Sequence, residues 1–348
     1  MEFKKLSTET SKKICVEYVW IDSIGDTRSK LKVIEKTNEE TLYFPEWNFD
    51  GSSTGQAEGK DSDILIRPIS IYLNPFIDWA ESYLVMCECY NKDSTIQEHN
   101  HRNKCMETYA KCKDDEPLFG IEQEYIIFQR DNVPYKWNNN VNPGCGNQGP
   151  YYCGVGGDRT FGREISLLHL ELCLKAGLKI CGTNAEVMAS QWEYQIGPLN
   201  PLEVSDQLWI SRYILQRVTE KFGCYVSFHP KPYKGDWNGS GGHTNFSTKK
   251  MRNVNGINEI ILACDKLVLT HKAHMEVYGK YNNERLTGLH ETSSINDCTW
   301  GISDRGKSIR IPLNVNMDKC GYLEDRRPAS NLDPYLVTEK IMNTICNV

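Results

Sequence analysis

The chain has 348 residues, 40 of them Lys or Arg and 46 Asp or Glu, and its 39% apolar, 25% charged composition is that of a folded chain with room for about two domains. Disulfide miniproteins and disordered tails are excluded, and a net charge of −6 offers no basic surplus for nucleic acid. The 14 cysteines are dispersed with no C-x-x-C pair, so free thiols in a reducing, cytoplasmic setting are expected. MEFKKLSTETSKK lacks a hydrophobic signal core. No apolar run approaches the ~18 residues of a membrane span, so no membrane partner is expected.

In chain order, 14–22, 31–37 and 82–90 are short β-branched and aromatic runs that predict strands. WNFDGSSTGQAEGKDSD, from Trp47 to Asp63, predicts a loop, and the polar stretch 91–104 a boundary running into a helix. Beyond it, 118–130 predicts a strand and 162–177 a helix closed by Gly177. A longer helix is expected over 201–223, with Pro201 at its start, then a strand at 224–230. NGSGG (238–242) is a turn, 255–280 is helical, 308–315 is extended, and 333–346 is a terminal helix opened by Asp333-Pro334. The expectation from this alternation is a small mainly-β domain, 1–100, followed by a large α/β domain, 101–348.

Glu122 and Glu124 lie two apart in the apolar strand 118–130, hence on one face with Ile126 and Phe128. Two carboxylates about 7 Å apart on a half-buried strand repel and lose hydration, and a divalent cation relieves both. An edge strand with a wet face is the plainer alternative. Glu186 and Glu193 form a second acidic pair among residues that prefer burial. Their odd separation requires a bend near Ala189-Ser190 if they are to meet. With His243 after the glycine turn and Glu324 before Arg326 and Arg327, these residues would suit two or three hard cations. Taken alone, His243 reads rather as an ordinary polar histidine.

Arg285, Arg305, Arg310, Arg326 and Arg327 fall in the last quarter. Guanidinium forks bind carboxylate and phosphate, and with metals they would make a phosphoryl-transfer site; singly, each reads as surface charge. Gly301 to Ser308 fits the phosphate-loop pattern, but polar residues precede it and Pro312 follows, so a chance match is expected. His271 with His274, and His99 with His101, are expected to be structural or solvent-facing.

From about Val19 to the C-terminus the chain resembles glutamine synthetase of the eukaryotic (type II) kind. The resemblance lies in PEWNFDGSST (45–54), FGIEQEY (119–125), YYCGVG (151–156), GTNAEVM (182–188), QWEYQIGP (191–198), WNGSGGHTNFST (237–248), ERLTGLHETSSIND (284–297), SIRIP (308–312) and GYLEDRRPASNLDPY (321–335). It implies an α+β fold, an N-terminal β-grasp domain and a catalytic domain built on a curved antiparallel sheet flanked by helices. It also implies ATP-dependent ligation of ammonia to L-glutamate through γ-glutamyl phosphate, with two or three Mg²⁺ or Mn²⁺ per site.

By the resemblance, Glu122, His243 and Glu324 hold one metal, and Glu124, Glu186 and Glu193 the other. Asp50 binds ammonium and takes its proton, and Glu291 lies on a flap that shields the acyl phosphate. Arg305 and Arg326 stabilise the transferred phosphoryl group. Asn245, Ser247, Arg305, Arg310 and Tyr322 are nucleotide contacts; Trp237, Asn238, Gly239, Arg285, Arg305 and Arg326 are glutamate contacts. The resemblance further implies sites shared between subunits, Asp50 coming from the neighbour, in a decamer of two pentameric rings. Leu118, Ala189, Ser190, His229, Asp236 and Glu284 depart from the family pattern; loss of an aromatic at 118 bears on ATP, and the charge of Glu284 beside Arg285 on glutamate. A non-catalytic relative would have lost ligands that are all present here. A ligase of the same fold for another amine or acid would keep them.

Overall fold

The computed structural model describes residues 13–36, 42–137 and 150–348. They form two compact units: the residues up to Asn100 with Leu172–Leu178, and His101–Glu171 with Lys179–Val348.

The first unit carries β1 (Lys13–Ile21), β2 (Thr27–Glu35), β3 (Trp47–Asp50), β4 (Asp63–Leu73) and β5 (Ser82–Asn91), in sheet order β2-β1-β5-β4-β3. Only β1 and β5 are parallel. Ile14, Val16, Tyr18 and Trp20 alternate along β1 and share a core with Phe49, Ile64, Ile66, Val85, Cys87 and Cys89. Two segments differ from the sequence reading. The stretch 47–63 opens with β3, because Phe49 stacks on Trp20 at 4.5 Å. The unforeseen β4 contains Pro68, which the sheet accommodates with a register shift between Pro68 and Ser70.

The chain after Asn100 carries α1 (Arg102–Cys112), β6 (Leu118–Gln129), α2 (Arg163–Ala176, the last turn of which belongs to the first unit), β7 (Ile180–Ala185), β8 (Gln191–Leu199), α3 (Pro201–Lys221), β9 (Cys224–Ser227), β10 (Gly242–Ser247), α4 (Lys249–Arg252), α5 (Ile257–Leu269), α6 (His271–Met275), β11 (Trp300–Ile302), β12 (Ile309–Ile311), α7 (Leu313–Asp318), β13 (Leu323–Asp325) and α8 (Pro334–Cys346). Its sheet runs β11-β12-β13-β10-β6-β8-β7, with β9 on the far end of β6. It is antiparallel except for the short β11–β12 pair.

The helices follow their local chemistry. Asn200 accepts from Leu202 N and Glu203 N before Pro201, and Asp333 accepts from Tyr335 N before Pro334. Helix α5 buries Ile260, Ala263, Cys264 and Leu267, one stripe at helical spacing. The predicted helix 255–280 is interrupted at Thr270, and the extended stretch 308–315 ends at Ile311. Pro312 sits at the N-cap of α7, where the missing N–H costs nothing, so a helix does open after it. The 301–308 segment leads from β11 directly into β12, a strand where a phosphate loop needs a helix, in keeping with a chance match. Every described cysteine is free, and Cys145 lies outside the described residues. Among the described residues no helix is long and apolar enough to cross a membrane.

Candidate active site

Sheet register lays out the site. His243 pairs with Glu122 and Asn245 with Glu324 across β10; Glu124 pairs with Glu193, and Glu122 with Gln195, between β6 and β8. Arg310 on β12 pairs with Glu324. Partners in register share a face, so one face collects carboxylates, imidazole and guanidinium. Gln123, Thr244 and Asp325, one residue along, are fully buried on the other. There Gln123 Oε1 accepts from Arg212 Nε at 2.9 Å, and Asp325 pairs with Arg327 at 2.6 Å. Arg327 thus belongs to the core rather than to the predicted arginine set.

Glu186 joins the face through the foreseen bend. Ser190 adopts φ 66°, and Glu186 N donates to Gln191 O at 2.8 Å, closing the turn between β7 and β8. The glycine turn matters for the same reason. A Cβ on Gly241 would overlap the Arg285 guanidinium and lie 2.9 Å from His243 Nε2. Gly241 N donates to Glu124 Oε2 at 2.9 Å.

The result is a polar cavity of about 320 Å³. Glu122, Glu124, Glu186, Glu193, His243 and Glu324 line it, and so do Arg285, Arg305, Arg310 and Arg326. Asn238, Gly239 and Glu291 complete the predicted residues that it gathers. Two sets of ligand atoms each fall within 4.8 Å: Glu122, His243 and Glu324; and Glu124, Glu193 and His243. Glu186 stands outside the second set, its Oε1 accepting from Asn184 Nδ2 at 3.0 Å. The donors are hard oxygens with one imidazole, a set that fits a hard divalent cation.

Electrostatics agree with that donor set. Burial first, then the Arg326 charge, lowers the His243 pKa to about 4, so the ring is neutral and can ligate. Burial, then Glu124, raises Glu186 to about 8. Burial, then Glu122, Glu124 and Glu186, raises Glu193 to about 10. Glu324 is held by Arg326 Nη1 at 2.7 Å and Arg310 Nη1 at 2.8 Å. Arg285 is buried, donating to His243 Nε2 at 3.1 Å and Arg326 O at 3.0 Å.

A second, mostly apolar cavity of about 370 Å³ shares Glu122 and Gln195 with the first. Leu118, Ile121, Ile196 and Phe246 wall it, and Asn245, Ser247 and Tyr322 line it as well. Trp237 instead packs with Trp137 and Tyr233. Asp50 belongs to the first unit, at the end of β3. Its carboxylate accepts from the hydroxyls of Ser52 at 2.7 Å and Ser53 at 2.8 Å, which lower its pKa to about 2. A Cβ on Gly51 would lie 2.5 Å from Ile64 Cγ1, so this turn needs its glycine.

Sequence reasoning missed the polar supports. Gln191 Nε2 donates to Glu124 Oε2 at 3.2 Å and Gly239 O at 3.0 Å, and Gln195 Nε2 to Asn184 Oδ1 at 3.1 Å. Tyr152, His290 and Thr292 also line the acidic cavity. Amides and hydroxyls give no periodic signal; only the motifs that contain Asn184, Gln191 and Gln195 pointed to them. The departures have partners: Glu284 pairs with Lys234 at 2.6 Å, Asp236 with His290 at 2.8 Å, and His229 stacks on Tyr281 at 5.1 Å. The charge of Glu284 is therefore answered by Lys234.

The first unit is a five-stranded sheet; in the second, a sheet whose one face unites carboxylates, an imidazole and arginines makes a site of the class that handles phosphoryl groups beside divalent cations. Residues 12–92 match the family model described as glutamine synthetase, beta-Grasp domain, and 101–261 match glutamine synthetase, catalytic domain. The chain is 50% identical to glutamine synthetase of Debaryomyces hansenii and 48% to that of Saccharomyces cerevisiae, in each case over 99% of this chain and 92% of the relative. Its fold matches a Plasmodium falciparum glutamine synthetase structure with TM-score 0.77 at 18% identity, covering 98% of this chain and 73% of the other. The chain belongs to the glutamine synthetase family.

Proposed function

We propose that the chain ligates ammonia to L-glutamate, consuming ATP and forming L-glutamine, ADP and phosphate through γ-glutamyl phosphate. The observation that carries this reading is the acidic cavity with its facing arginines, adjoining an apolar one through Glu122 and Gln195. The apolar cavity suits the nucleotide base, with Asn245, Ser247 and Tyr322 as contacts and Leu118 as apolar wall. The triphosphate then reaches Arg305, Arg310 and Arg326.

Glu122, His243 and Glu324 would hold one cation, and Glu124, Glu186 and Glu193 another. Mg²⁺ or Mn²⁺, two or three per site, supplies charge neutralisation at the transferring phosphoryl group. Arg285, with Asn238, Gly239 and the neighbouring Trp237, orients glutamate so that its γ-carboxylate faces the γ-phosphate in line. Arg305 and Arg326 stabilise the charge that develops. Glu291 shields the acyl phosphate from water. Asp50, held ionised by the Ser52 and Ser53 hydroxyls, would bind ammonium and take the proton that the cation must lose before the nitrogen attacks the acyl phosphate.

We place residues 1–100 and 101–348 as the two domains and the protein in the cytoplasm, which its free thiols support. We infer self-association as two pentameric rings, with Asp50 serving a neighbour's cavity; exposed Ile71, Leu73 and Trp79 of the first unit favour self-association as such. Omission assays test the activity: glutamine should form only when ATP, Mg²⁺, L-glutamate and ammonium are all present. Turnover with another acid, or none with glutamate, overturns the reading.

A further inference from the structure

Two segments of the second unit meet at the acidic cavity. Residues 229–239 supply Asn238 and Gly239 to its lining, and the loop 286–295 supplies His290, Glu291 and Thr292. The loop is pinned at its base, where Ile295 N donates to Leu286 O at 2.9 Å and Thr287 bridges Ser294. Its tip is not regular structure: His290 and Glu291 are consecutive left-handed residues, φ 54° and 58°. Such a tip keeps its shape only if contacts beyond the base hold it.

Ser293 Oγ donates to Gly306 O at 2.9 Å and Arg326 Nη2 to Glu291 O at 3.5 Å, and further contacts cross between the two segments. Lys234 Nζ lies 2.6 Å from Glu284 Oε2, just before the base, and Asp236 Oδ1 lies 2.8 Å from His290 Nε2, at the tip. His229 stacks on Tyr281 at 5.1 Å with 25° between planes. Lys234 and Asp236 are mostly exposed. Exposed pairs are weak and exchange readily, which suits a closure that must open at each turnover.

We propose that Lys234–Glu284 and Asp236–His290 form a two-point latch between these segments, making Lys234, Asp236 and Glu284 positioning residues that hold Glu291 against the acidic cavity. The inference rests on the glutamine-forming reading of that cavity. It predicts that a loosened latch lets water reach the acyl phosphate, so that ATP is hydrolysed without product.

The test measures phosphate released and glutamine formed in one reaction, with the full chain, ATP, Mg²⁺, L-glutamate and ammonium. Wild type should give one phosphate per glutamine; no glutamine from wild type overturns both the reading and the latch. Lys234→Glu and Glu284→Lys should each raise phosphate per glutamine about two- to fivefold, and raise KM for glutamate more than they lower kcat. The double variant should return both quantities toward wild type. Asp236→Ala should uncouple similarly, and Asp236→Glu should restore coupling. Melting curves identify any single variant that folds poorly, and for it Lys234→Gln or Glu284→Gln replaces the reversal. Single variants that couple as wild type does, or a double variant no better than either single, overturn the latch.

Discussion

Glu324 and Asp325 are neighbours on β13, and strand alternation gives them opposite tasks. Glu324 faces the cavity and holds Arg310 and Arg326; Asp325 faces the core and neutralises the buried Arg327. Glu324→Ala should cut glutamine formation by at least about 100-fold, since it removes a proposed metal ligand, while leaving the melting temperature near wild type. Its arginines open on the cavity, so they are not stranded. Asp325→Ala strands a buried guanidinium and should cost about 3–5 kcal/mol in denaturant unfolding. Equal effects of the two substitutions on stability would contradict the assignment of faces. Glu186 and Glu193 carry a second prediction. Burial and the neighbouring carboxylates push both pKa values well up, so a cation that binds there must displace bound proton. Mg²⁺ or Mn²⁺ binding should therefore release protons and tighten as pH rises from 6 to 8. Calorimetry in buffers of different ionisation heat checks this, and buffer-independent heats would count against it.

At the scale of elements, two buried histidines fix helices. His169 on α2 meets Ser211 O of α3 at 3.0 Å, and His274 on α6 meets Tyr278 Oη at 2.6 Å and Thr344 Oγ1 of α8 at 2.8 Å. Burial lowers their pKa values to about 4 and about 3. Between those values and about 6.5 the unfolded chain binds protons that the folded chain refuses, so stability is present above 6.5 and falls with pH. The expected slope is about 1.4 kcal/mol per pH unit for each histidine, read from urea melts at pH 5 and 7 and reduced in His274→Gln. His274 reads from sequence only as structural or solvent-facing, and nothing marks His169, because the partners of both are remote. The same distinction governs the rest. Helices α3 and α8 and strand β6 were legible, since caps and periodicity are local. Strand β4 was hidden because Pro68 and mixed exposure erase its alternation, and α7 because Pro312 reads as a breaker when seen without its N-cap position. The four carboxylates of β6, Glu186 and β8 could be recognised. That they meet depended on the turn at Ser190 and on cross-strand register, which no single segment contains.

At the scale of the whole molecule, Asp50 raises the question of assembly. It lies in the first unit, while the metal-binding candidates lie in the second. If sites are completed by neighbours, mixing Asp50→Ala subunits with Glu324→Ala subunits should restore activity that neither variant has alone. Strictly additive inactivity would refute sharing. In the proposed reaction the γ-carboxylate of glutamate attacks ATP inside the acidic cavity before ammonia attacks carbon. Transfer of oxygen reports this most directly. With L-glutamate labelled by ¹⁸O in its γ-carboxylate, the phosphate released during glutamine formation should carry one labelled oxygen per molecule. Glutamine formed alongside unlabelled phosphate would contradict the acyl phosphate and, with it, the role assigned to the cavity.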